Sequence, residues 1–107
     1  MEETALNPTD MMRDALIEVL LDCKRAISRR RSQFHLSPWD STEEATEQID
    51  LAIEGILVGD INREHLRWLF IPFGPVHQVA IASEWVPDFI DLAMRFDAAF
   101  YGNAYKE

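Results

Sequence analysis

The stretch from Leu66 to Trp85, LRWLFIPFGPVHQVAIASEW, limits what this chain can fold into more than any other. It holds two of the three tryptophans and two of the six phenylalanines, and only Arg67 and Glu84 in it carry a full charge. A segment this apolar has to be covered, because burying one large apolar side chain is worth roughly 1.5–3 kcal/mol. Pro72 and Gly74-Pro75 interrupt it, so no long helix can run through. The elements on either side must supply the cover.

Those elements read as helices. Asn7-Pro8-Thr9-Asp10 opens the first, with an amide able to cap and Pro8 at the first helical position, where its missing N–H is not needed. Residues 1–6 form a lead-in. Met12, Leu16, Val19, Leu20, Cys23, Ala26 and Ile27 follow helical spacing and make one stripe, while Asp10, Asp14, Glu18, Asp22, Arg25 and Arg29 fall outside it. Acids lead and Arg29, Arg30 and Arg31 follow, the order that the helix dipole favours. The expected end is near Phe34. Pro38 then biases Ser37 away from helical angles, and Ser41-Thr42-Glu43-Glu44 spells a capping box. In it Ser41 accepts from the Glu44 amide and the Glu44 carboxylate returns to Ser41. The second helix puts Ala45, Ile49, Ala52, Ile53 and Ile56 on one side and Glu43, Glu47, Asp50 and Glu54 on the other. Gly59 can take the left-handed conformation that ends it.

Asp60 or Asn62 caps a short third helix in which Leu66, Leu69 and Phe70 recur at helical spacing. Val76 to Ser83 has two readings. Pro75 at a first helical position, with Val76, Val79 and Ala80 on one side, gives a fourth helix. Trp68 to Ile71 and Val76 to Ile81 around Phe73-Gly74-Pro75 give a small hairpin, but the strict alternation of a half-buried strand is missing, which favours the helix. The last helix opens at Pro87 and closes at Gly102. Trp85, Phe89, Leu92, Ala93, Phe96 and Phe100 make its core stripe, and Val86, Ile90, Met94 and Tyr101 make a second apolar stripe beside it. Such a helix is either central in its own domain or covered by another chain, and in a chain of 107 residues the second is favoured. The expected fold is all-α: one domain over 1–107, four to five helices packed as a bundle, with the first, second and last forming the bundle and 66–85 plugging one end. The alternative is a mainly α domain with a small β-hairpin near 66–82.

Composition narrows the functional classes. Ten basic against nineteen acidic residues give a formal charge of −9, which repels nucleic-acid backbones and anionic membranes. The single cysteine, Cys23, excludes an intrachain disulfide framework and fits a reducing compartment. The acidic N-terminus does not read as a secretory signal, and no run approaches the ~18 apolar residues of a membrane span. A cytoplasmic protein is expected, with no nucleic-acid or membrane partner.

Chemistry finds little footing. Glu43, Glu47, Asp50 and Glu54 diverge outward along several turns, whereas a hard cation needs convergent oxygens. No Glu-x-x-His, His-x-x-x-His or Cys-x-x-Cys spacing occurs, so neither a metal nor another cofactor is expected. His35, His65 and His77 lie on three different elements, and Cys23 sits on an apolar stripe as a small hydrophobe. Lys24, Arg25 and Arg29 to Arg31 read as dipole compensation and as partners of Asp22 and of the second helix's acids; the minor alternative is that Arg29, Arg30 and Arg31 grip phosphate or nucleic acid. Trp39 and Trp68 either mark a surface or fold back as lids on the core.

The function these features support is a small, acidic, non-enzymatic protein–protein interaction domain of immunity or adaptor type. A homodimer through Val86, Ile90, Met94 and Tyr101 is expected, with the acids Glu43, Glu47, Asp50 and Glu54 facing a basic partner. The competing reading is a small-molecule-binding module or small enzyme, with a pocket around Trp68, Phe73, His77 and Trp85.

Overall fold

A computed structural model describes residues 8–29 and 32–101 and contains five helices: α1 (Pro8–Arg29), α2 (Thr42–Val58), α3 (Arg63–Phe70), α4 (Pro75–Ser83) and α5 (Val86–Tyr101). The all-α reading holds, and among the described residues there is no strand. The Asn7 cap, the arginines Arg30 and Arg31, and Gly102 lie outside the described residues, as does the side chain of Arg29.

α1 is the axis of the bundle. It packs against α2 on one side and α5 on the other, and α3 and α4 pack on each other and, through α4, on α5. Of the expected stripe, Leu16, Val19, Leu20, Cys23, Ala26 and Ile27 join the core, and Met12 at its start is half-buried. α1 stops short of Phe34, since residues 32–34 are not helical. The Ser32 hydroxyl donates to the Ile27 carbonyl at 2.9 Å, which satisfies one of the carbonyls that a helix end leaves open and lets the chain turn away.

The start of α2 is capped as its sequence implies, with one change of partner. The Ser41 hydroxyl accepts from the Glu44 amide at 3.1 Å, but the Glu44 carboxylate takes the amide of Asp40 at 2.8 Å rather than that of Ser41. Extended backbone at Ser41 (φ −157°, ψ 164°) brings the Asp40 N–H over the first turn. At the other end Gly59 closes α2 at φ 81°, and Asn62 rather than Asp60 caps α3, accepting from the His65 amide at 3.0 Å.

The Leu66–Trp85 stretch is two helices with a tight corner between them. The Gly74 amide donates to Ile71 at 2.9 Å and the Gln78 amide to Gly74 at 2.9 Å, so Phe73-Gly74-Pro75 enters α4 and makes no hairpin. Gly74 is fixed by crowding: a β-carbon there would lie 2.7 Å from the Trp68 carbonyl oxygen and 2.9 Å from that of Ile71. Glu84 then takes left-handed angles (φ 66°) to end α4. Trp85 bonds back to Ala80 through its amide and accepts from Phe89 through its carbonyl. The last helix therefore begins at Val86, with Pro87 second instead of first. Leu66, Leu69, Phe70, Val76, Val79, Ala80 and Trp85 are all buried, and a ring stack running Phe70 to Phe96 to Phe100, at 4.6 and 4.9 Å, joins α3 to α5.

Candidate functional site

Three surfaces stand out, and two of them carry residues that the sequence singles out. The first is the outer face of α5. On a wheel of about 100° per residue, Phe89, Leu92, Phe96, Ala99 and Phe100 share the buried sector. Pro87, Ile90, Met94, Ala98 and Tyr101 share the opposite one, and all five are exposed, Met94 to 67%. Val86 stands at the edge, half-buried. Asp91 and Asp97 flank the strip, Asp91 reaching Arg95 at 3.8 Å. Arg95 turns the other way and bonds Asp22 of α1 at 2.8 Å. The Arg95 guanidinium, with that of Arg25, holds the Asp22 carboxyl below the usual carboxylate range against the opposing effect of burial.

The apolar face of α5 continues onto the corner between α3 and α4. Ile71 and Pro72 line a shallow depression with Asp97 and Tyr101. Phe73, 69% exposed, leans on the His77 ring at 5.0 Å, which in turn stacks on Phe89 at 4.5 Å. The corner is clamped from both sides: the Phe73 amide donates to His77 Nδ1 at 2.7 Å and its carbonyl accepts from Gln78 at 2.7 Å. Burial lowers the pKa of His77, and an acceptor at Nδ1 requires the neutral ring.

Of the residues assigned to a pocket, Phe73 and His77 therefore meet. Trp68 instead packs edge-on against Trp39 at 6.3 Å and stacks on His65 at 5.8 Å. Trp85 lies in the core with its indole N–H unpaired among the described residues. Of the two loop and helix tryptophans, Trp39 folds back as a lid, 3% exposed, and Trp68 stays partly in solvent.

The second surface is the acidic face of α2. Glu43, Glu47, Asp50 and Glu54 are all exposed. Asp50 is tied to Lys24 of α1 at 2.8 Å, and Arg25 to Asp22 at 2.5 Å, so two members of the basic run are paired as the sequence implies. Glu47 and Glu54 make no ion pair among the described residues.

The third surface is one that the sequence did not disclose. A groove of about 340 Å³ runs between α2 and α3. Gln48, Leu51, Ala52 and Gly55 line it from α2; Asp60, Asn62, His65 and Leu66 line it from the turn and α3. Gly55 was its one signal. A glycine inside a helix often marks close backbone approach, and a β-carbon here would stand 2.8 Å from the Asp60 carbonyl oxygen.

Cys23 is fully buried and desolvation pushes its thiol up to about 12, which leaves it inert at neutral pH. Among the described residues, no three of His, Cys, Asp and Glu are placed to hold a metal ion, and no helix is long and apolar enough to cross a membrane. No protein-family model matches the chain, and no curated protein or solved structure matches it at a significant level.

Proposed function

We propose that the protein is a non-enzymatic protein–protein interaction domain, working as a homodimer through the outer face of α5, with the acidic face of α2 left to receive a basic partner. The observation that carries this reading is the second apolar stripe. Ile90, Met94 and Tyr101 remain exposed although α5 already contributes five residues to the core. Monomeric surfaces rarely hold apolar side chains in so continuous a line, and such lines mark interaction sites. A single helix face falls short of the roughly 800 Å² per partner of a stable interface. Ile71, Pro72 and Phe73 extend it in the direction needed.

Self-association has an electrostatic signature. Each copy carries −9 and Asp91 and Asp97 flank the strip, so pairing brings like charges together and added salt should tighten the dimer by screening them. Binding of a basic partner to α2 should respond in the opposite sense. The test is Met94→Glu, a change at an exposed position. It is expected to leave the helical circular-dichroism spectrum intact and to give a monomer. A variant that remains dimeric contradicts the reading.

The pocket reading has less support. Phe73 and His77 form a clamp on their own backbone, and the two depressions described above are lined by none of Trp68, Phe73, His77 and Trp85.

A further inference from the structure

We infer that the α2–α3 groove seats a basic amphipathic segment of a partner protein, with an apolar side chain in the groove and lysines or arginines against the ridge formed by Glu47 and Glu54. This rests on the reading that the acidic face of α2 is a partner surface, and it says where on that face the partner docks.

One ridge of α2 supports it. Leu51 and Val58 stand 53% and 72% exposed in the sector next to the groove. At about 100° per residue Glu47, Leu51, Glu54 and Val58 fall within roughly 60° of one another, so acidic and apolar side chains alternate along a single ridge beside the groove. A helix recognised through residues i, i+3 or i+4, and i+7 presents the complement when its apolar face is flanked by basic residues. The groove supplies the socket: Leu66 and Ala52 give an apolar floor, and Gly55 keeps the wall low because no side chain fits there.

The charge around the socket is of one sign. Glu47 and Glu54 are unpaired among the described residues, whereas Asp50, beyond them, is neutralised by Lys24. Asp60 adds a carboxylate at the groove's end. His65, the other titratable group lining it, is held towards its neutral form by burial. A second copy of this chain and a nucleic acid would both bring negative charge to a negative site. A basic polypeptide brings the opposite charge, and such a pairing is steered by electrostatics and weakened by salt.

The experiment is selection of a random helical peptide library displayed against the immobilised full chain, followed by affinity measurement of the enriched peptides. Enriched sequences are expected to pair an apolar anchor with flanking lysine or arginine. Their binding should weaken at least about tenfold in Leu51→Arg, an exposed position at the groove's lip, and similarly in Glu47→Lys/Glu54→Lys. Peptides that respond to the double charge reversal but not to Leu51→Arg would overturn the groove and leave the acidic-face reading standing. Peptides without basic residues, peptides lost only in Met94→Glu, or no enrichment at all would overturn both.

Discussion

Phe73 stands in the left-handed region at φ 61°, where a side chain costs about 1–2 kcal/mol relative to glycine. Its ring is mostly in solvent, so the core does not repay that strain, and the hydrogen bonds to His77 and Gln78 hold it in place. Phe73→Gly removes the strain and adds backbone freedom to the unfolded chain, two effects that oppose each other. In the monomeric Met94→Glu background, where no partner copy covers the ring, the unfolding free energy is therefore expected to stay level or to rise by up to about 1 kcal/mol in denaturant titration. A loss larger than that would show that the ring is packed. His77 gives a second handle. Its folded pKa lies below its ordinary value of 6.5, so in the window between the two the unfolded chain binds more protons than the folded one. Stability is then full above about 6.5 and falls as the pH drops through that window. His77→Phe should reduce that acid slope, leaving the share that comes from His65, whose pKa burial also lowers, while removing about 1 kcal/mol at neutral pH for the lost acceptor; a slope unchanged in the variant would count against the clamp. Little of this was legible in the sequence. Phe, unlike Gly, gives no warning of a left-handed backbone; Trp85 already fell on a core stripe, but only the fold shows that Trp39 is buried and Trp68 stays partly in solvent.

At the scale of elements, the helices were legible wherever local chemistry and periodicity agreed. Ser41 and Glu44 set the start of α2, Gly59 its end, and the stripe of α1 is its buried face. The expectations that shifted are those fixed by long-range or backbone effects: the early stop of α1, set by Ser32 turning back to Ile27, and the start of α5, set by the Glu84–Trp85 corner. The α2–α3 groove escaped because Leu51 and Val58 look like ordinary exceptions on a polar face, and only the fold places α3 beside them. Gly55 gives the sharpest prediction at this scale. Glycine to alanine inside a helix normally stabilises by about 1 kcal/mol. At Gly55 the added carbon meets the Asp60 backbone oxygen at 2.8 Å, so the sign should reverse. Gly55→Ala is expected to lower the thermal midpoint, and an increase would mean that the α2–α3 turn yields without cost.

The described residues form a bundle organised on α1, with α5 at its flank and one face of α5 exposed among them. Hydrophobic periodicity showed that α5 carries two apolar stripes. It also put Phe89, Leu92, Phe96 and Phe100 on the stripe that the protomer buries; what it could not show is how Ile71, Pro72 and Phe73 continue the other one. The exposed stripe, as proposed above, pairs two copies. That pairing is tested most directly by the solution mass of the unmodified chain, measured by light scattering over a range of concentration and salt. The prediction is a mass twice that of the 12.4 kDa chain, with dissociation on dilution occurring at lower protein concentration as salt is raised. A single-chain mass at every concentration and salt would contradict it.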